Sequence, residues 1–170
     1  DAFVIGSVVV RDGGGQTVSG TTTALNDKFT FTPAGGPLPD GSYTVSLTAK
    51  DMAGNSHDYS FSFTVDGQAP AKPTITGGTV VTGPLQVRPF ANQSRNAPVT
   101  ITGTREAGTS VWMNNYRLVS AGTGDWSVTR TLNQGANALE IWLLDAAGNR
   151  SESVWLDVFV DSVAPSATAV

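Results

Sequence analysis

Apolar and polar residues alternate along most of the chain, and the alternation breaks at short stretches rich in Gly, Asn and Asp. Tyr43, Val45, Leu47 and Ala49 fall on one side of an extended strand, with Thr44, Ser46, Thr48 and Lys50 on the other. After Asp51-Met52-Ala53-Gly54-Asn55 the period of two resumes at Tyr59, Phe61, Phe63 and Val65. Strand, tight turn and strand predict a β-hairpin, with Gly54 supplying the left-handed backbone that such a turn needs. The same grammar returns later: Leu139, Ile141 and Leu143, then the turn Asp145–Asn149, then Val154, Leu156, Val158 and Val160. One apolar side per strand means antiparallel sheet buried on one face. No stretch carries a convincing period of 3.6. Several short strands within about 95 residues predict a β-sandwich, so the fold class is all-β.

Two motifs repeat with one spacing. Asp51–Asn55 returns as Asp145–Asn149, 94 residues on (51 to 145). Asp66-Gly67-Gln68-Ala69-Pro70 returns as Asp161-Ser162-Val163-Ala164-Pro165, 95 residues on (66 to 161). A shared spacing points to tandem modules. The expected organisation is a module over 1–66, a proline-containing linker over 67–73, a second module over 74–161, and a linker or start of a further module over 162–170. Pro70, Pro73 and Pro165 fix φ and pre-set stiff, extended exits. The first module is short by about two strands relative to the second, so either the chain is cut within it or those strands come from elsewhere. Residues 84–96 read as an insertion without an assigned role. The opening at Asp1 carries no signal peptide, and the chain is expected to be a piece of a longer polypeptide.

Composition narrows the function classes. Ten Lys+Arg against fourteen Asp+Glu give a net charge of −4, and the basic residues are scattered. Nucleic-acid binding, which needs clustered cations, is not expected. No apolar run is long enough for a spanning helix, so membrane insertion is not expected either. There is no cysteine, which excludes disulfides and thiol chemistry. The single histidine, His57, sits beside the first hairpin turn with no Gly-x-Ser-x-Gly elbow in the chain, and it reads as an ordinary loop residue. The acids lie mostly in turns and linkers, with no evident cleft for paired-carboxylate hydrolysis. The chain does not read as an enzyme. Asn92-Gln93-Ser94 matches a glycosylation acceptor and is taken as chance.

The ordered motifs carry a resemblance. Val99–Thr104, Glu106–Val111, Gly124–Val128, Gly135-Ala136-Asn137 and Asp145–Asn149 in the second module, with Phe31–Ala34, Pro37-Leu38, Asp40–Tyr43 and Asp51–Asn55 in the first, resemble bacterial immunoglobulin-like (Ig-like) tandem repeats. Such repeats build large surface adhesins and multi-module secreted proteins. The resemblance implies two tandem Ig-like sandwiches, the first lacking its opening strands. It implies an extracellular, cell-surface or secreted setting, and neighbouring modules of the same chain as partners. It implies that Trp126 packs in the core.

Two candidate sites follow. For the Asp turns the residues themselves give turn chemistry: Asp accepts from local backbone N–H groups while Gly54 and Gly148 take positive φ. The resemblance adds a calcium reading, because Ca²⁺ takes about six to eight oxygen ligands and stiffens junctions in similar adhesins. On that reading Asp51, Asn55 and Asp66 gather near one junction, and Asp145, Asn149 and Asp161 near the next. The other site is aromatic. If the aliphatic sets face the core, Trp112, Trp142, Trp155 and Phe159 face outward, and an Ig-like topology makes their strands neighbours. Three readings stand for that patch: packing against a neighbouring module or residues 84–96, a surface-protein partner, or stacking on sugar rings. The function expected is a structural or adhesive repeat; the alternative is an accessory carbohydrate-binding module of a polysaccharide-degrading enzyme.

Overall fold

The computed structural model describes residues 3–25, 28–78, 92–94 and 98–160. Every regular element among them is a β-strand. The chain divides into two compact units, Asp1–Gln68 and Ala69–Val170.

In the first unit, β1 (Phe3–Asp12), β4 (Gly41–Asp51) and β5 (Ser56–Val65) form an antiparallel sheet in the order β1-β4-β5, and β2 (Gly20–Leu25) pairs with β3 (Lys28–Pro33) in a second. Register places Val10 opposite Val45 and Phe61 opposite Val45 on the other side, so the alternating apolar set of all three strands shares one face. Phe29 and Phe31 of β3 pack onto that face around a small core of Val10, Tyr43 and Val45. The Tyr43 hydroxyl donates to the Pro39 carbonyl at 2.8 Å, four residues upstream. A tyrosine tied back in this way at the start of the penultimate strand is the corner device of immunoglobulin-type sandwiches.

The second unit is larger and better filled. Its sheet runs β6 (Thr74–Gly78), β8 (Pro98–Met113), β10 (Gly135–Leu144), β11 (Val154–Val160) and β7 (Asn92–Ser94), with β9 (Tyr116–Thr131) paired to β8. β8 has a different second neighbour in each half: β9 pairs along both, with Pro98–Arg105 and again with Val111–Met113, while Gly103 of the first half also pairs with Ile75 of β6 and Ser110–Met113 of the second pair with β10. The strand turns between these parts at an irregular stretch where Gly108 has φ 82° and the Thr109 hydroxyl donates to the Glu106 carbonyl at 2.6 Å. Leu139, Ile141, Leu143, Leu156, Val158 and Val160 meet Val99, Ile101, Val111 and Trp126 in one core. Trp126 is buried, and its indole N–H donates to the Thr104 carbonyl at 3.2 Å.

The proline segment is divided between the units. Asp40 accepts from the Gly67 backbone N–H at 2.8 Å and from the Gln68 side chain at 3.1 Å, which holds 67–68 to the first. Pro70 and Pro73 are buried, and the Ala71 N–H donates to Glu106 at 2.8 Å, so residues 69–73 dock on the second unit and are not a free linker. Residues 79–91 and 161–170 lie outside the described residues, so most of the insertion and the whole C-terminal expectation go undescribed.

Candidate ligand face and junction turns

The outer face of the second unit is built by cross-strand register. β10 sits between β8 and β11, and Trp142 lies opposite Trp112, Glu140 opposite Trp155, and Ala136 opposite Phe159. All four aromatic residues expected to face outward do share this face. Their environments differ. Trp112 and Trp142 stack with ring centroids 5.0 Å apart and planes 12° from parallel. The Arg150 guanidinium lies 4.3 Å from the Trp142 ring centroid. It is held there by Glu140, whose Oε1 accepts from Arg150 Nη2 at 2.6 Å and from the Ser153 hydroxyl at 2.6 Å. Each indole N–H is satisfied locally: Trp112 donates to the Ser110 hydroxyl and Trp142 to the Asn114 carbonyl, both at 3.1 Å. Trp142 is consequently only 9% exposed, although it stands on the solvent side of the sheet. A sugar ring stacks on a bare aromatic face, and Trp142 offers none. Trp155 and Phe159 remain 43% and 41% exposed, flanking Asp157 on β11.

The Asp turns close on themselves. Asp51 Oδ1 accepts from the Asn55 backbone N–H at 2.9 Å while its Oδ2 accepts from the Asn55 amide at 2.8 Å. Asp145 and Asn149 repeat the pattern at 2.8 and 2.9 Å. The backbone is clasped as well, since Asp51 N–H donates to the Asn55 carbonyl and Asp145 N–H to that of Asn149. Hydrogen bonds from the paired asparagine side chain, backed by backbone N–H groups, favour the ionised form and lower both carboxyls from the ordinary 3.8. Gly54 and Gly148 take φ of 90° and 96°, as the turn demands. His57 packs edge-on against Tyr59, with ring centroids 4.7 Å apart.

Residues 3–67 match the family model of a bacterial Ig-like domain. The first unit is thus similar to bacterial Ig-like domains. Over 91% of the chain the fold is similar to the fibronectin(III)-like modules of Clostridium thermocellum CbhA, with a TM-score of 0.53, 16% identity and 77% of that chain covered. The BSP domain of a biofilm associated protein aligns with 97% of the chain and 26% of its own at a TM-score of 0.32 and 20% identity, too loosely to argue from. No curated protein matches. Ig-like and fibronectin(III)-like modules are building blocks of multi-domain proteins and are typically non-catalytic.

The architecture of the first unit corrects one expected constellation. Asp51 and Asn55 close the β4–β5 hairpin at one end, whereas Asp66 follows Val65, which pairs with Gly41 at the other. The ten residues of β5 hold them ~30 Å apart, so they share no coordination shell. Asp66 instead accepts from the Gln68 N–H at 3.0 Å. In the second unit β11 likewise leads away from Asp145 and ends at Val160 opposite Gly135, and Asp161 lies outside the described residues. Among the described residues no three metal-ligating acids or histidines gather. Sequence reasoning missed Arg150, which Glu140 holds over Trp142 and which decides how much of that ring is accessible. The signal was available in the Arg directly after the Asn149 turn, one short step from the aromatic face.

Proposed function

We propose that the chain supplies two Ig-like modules to a secreted or cell-surface bacterial protein, serving as a spacer or adhesive repeat and not as a catalyst. The observation that carries this reading is the repetition of one clasped hairpin, with the same Asp–Asn pairing, in both units. Each unit spends its turn carboxylate on its own backbone, the economy of a part whose task is to hold shape. Its test is exchange in the parent protein: an unrelated pair of sandwiches of equal length should replace residues 3–160 with surface display and activity of the parent preserved. Loss of adhesion on exchange, with display intact, would refute a pure spacer role.

A narrower second reading is favoured by Trp155 and Phe159, half-exposed on one strand with Asp157 between them. Aromatic rings beside a carboxylate suit a glycan or a protein surface. Trp155→Ala/Phe159→Ala should then abolish retention on a glycan array while the melting curve stays put; unchanged retention would remove this face from consideration.

A further inference from the structure

The second unit carries a pocket of ≈ 470 Å³ beside the turn from β8 into β9. That volume lies within the ~300–1,000 Å³ of small-molecule sites. It exists because β8 leaves β10 early. Ile141 lies opposite Met113 at the end of the ladder, and the Asn114 turn adds a final rung. The Asn114 backbone N–H donates to the Glu140 carbonyl at 2.7 Å, and its side-chain oxygen accepts from the Glu140 N–H at 2.9 Å. Ala138, the next residue of that parity on β10, turns its own N–H and C=O to the same side. Among the described residues no strand pairs with it there. The pocket lies against this short open edge, and Ala138 lines it.

The lining has a consistent chemistry. Its floor is apolar, from the buried Met113, Leu132 and Leu139. One wall is the Tyr116 ring, which is 74% exposed. Its polar groups are amides and hydroxyls, and among the described residues no charged side chain lines it. Several of these groups are free to meet a ligand. Asn114 uses its side-chain oxygen on Glu140 and keeps its Nδ2 hydrogens, while Asn133 bonds to Asn137 through its backbone alone. The loop that carries Asn133 is fixed beforehand: Asn137 Nδ2 donates to the Asn133 and Gly135 carbonyls at 2.9 and 3.0 Å, and its Oδ1 accepts from the Asn133 N–H at 3.1 Å. A site held in shape before binding loses less on ordering when the ligand arrives.

We propose that this pocket binds the end of an uncharged saccharide. A pyranose carries hydroxyl groups around its rim and C–H groups on its faces. The faces suit the exposed Tyr116 ring. The hydroxyls suit the amides of Asn114 and Asn133 and the open N–H and C=O of Ala138, which between them both donate and accept. Uronic acids and phosphorylated sugars are selected against, because their anions would be desolvated with no cation to meet them. An extended peptide fits less well. Strand addition needs a run of rungs, and the Asn133–Asn137 clasp closes the edge immediately beyond Ala138. The site uses neither Trp155 nor Phe159 and does not depend on a ligand at that face.

The test titrates the full, isotope-labelled chain with cellobiose, maltose and lactose, and with glucuronic acid as the charged control, followed by amide NMR. An uncharged disaccharide should shift the side-chain amide signals of Asn114 and Asn133 and the Ala138 N–H saturably at millimolar concentration, and glucuronic acid should not. Tyr116→Ala, a change at an exposed ring, should weaken binding about tenfold while the melting curve of the unit stays in place. Asn133→Ala should weaken it about fivefold. Trp155→Ala/Phe159→Ala should leave the affinity unchanged. The proposal is overturned if none of the uncharged sugars moves these signals, or if glucuronic acid moves them equally. It is overturned too by binding that survives Tyr116→Ala and is lost in Trp155→Ala/Phe159→Ala, which would assign the sugar to the β11 face instead.

Discussion

Gly103 is the position at which one methyl group should cost most. It lies on β8 opposite Ile75 of β6 and Trp126 of β9. A Cβ built there would sit 2.5 Å from Trp126 Cζ2 and closer still to the Thr74 carbonyl oxygen. Neither neighbour yields cheaply. Moving Thr74 pulls β6 off β8, and turning the indole breaks its bond to the Thr104 carbonyl inside a buried site. Overpacking of this kind costs ~1–3 kcal/mol, and a buried donor left without its acceptor a further ~1–3 kcal/mol. Gly103→Ala should therefore destabilise the second unit by about 3 kcal/mol, which lowers its midpoint by roughly 12 °C or more. All four tryptophans, Trp112, Trp126, Trp142 and Trp155, belong to this unit. Intrinsic tryptophan fluorescence during a thermal or urea melt thus reads its transition without interference from the first. In Gly103→Ala/Trp126→Leu the two costs should sum to less than their separate values, since the smaller side chain vacates the space that the methyl needs. Gly35→Ala, where a methyl meets nothing within 4 Å, should leave the tryptophan transition unmoved. A Gly103→Ala midpoint within about 2 °C of the parent would refute the reasoning.

Arg150→Ala removes the cation above Trp142 and the partner of Glu140, and should cost about 1 kcal/mol while making Trp142 accessible to acrylamide; unchanged quenching would mean that the guanidinium does not shield the ring. The Asp51 and Asp145 carboxyls are lowered by their asparagine partners, so their contribution is complete above the ordinary carboxylate value of 3.8 and is lost as pH falls through the depressed one. Asp145→Asn should accordingly flatten the acid limb of the tryptophan-detected stability profile below about pH 4 and leave its shape above about pH 5 unaltered. Because Asp51 and Asp66 stand at opposite ends of a hairpin, melting midpoints in EDTA and in millimolar Ca²⁺ should coincide for the first unit; a rise of several degrees would reveal a site assembled from other groups.

Much of the architecture was legible from periodicity. Alternation at Leu139, Ile141 and Leu143 and again at Leu156, Val158 and Val160 gave both the strands and their buried face, because a period of two leaves a half-buried strand no other register. The same parity put Trp112, Trp142, Trp155 and Phe159 on the opposite side. It said nothing of what lies over them, since the Arg150 cover arrives from a turn with no periodicity. The expected gathering of Asp51 with Asp66 failed on strand length: ten extended residues separate the ends of β5, a distance readable from the alternating run itself. The continuity of β8 was hidden for another reason. Glu106-Ala107-Gly108 interrupts the pattern as a loop between two strands would, whereas the backbone bends there and carries on. The exposure of Tyr59, Phe61 and Phe63 depends on which strands oppose them, a long-range fact that no local pattern records.

That bent strand has a consequence for how the second unit fails. Sandwiches often open by letting one sheet slide from the other, each retaining its own ladder for a time. Here Pro98–Arg105 and Ser110–Met113 are one covalent span; both parts are knitted to β9, the former also to β6 and the latter also to β10. A rupture on either side loads the other through the few residues around Gly108. The unit is a knot of shared backbone with no seam along which to part, and it surrenders as a single piece.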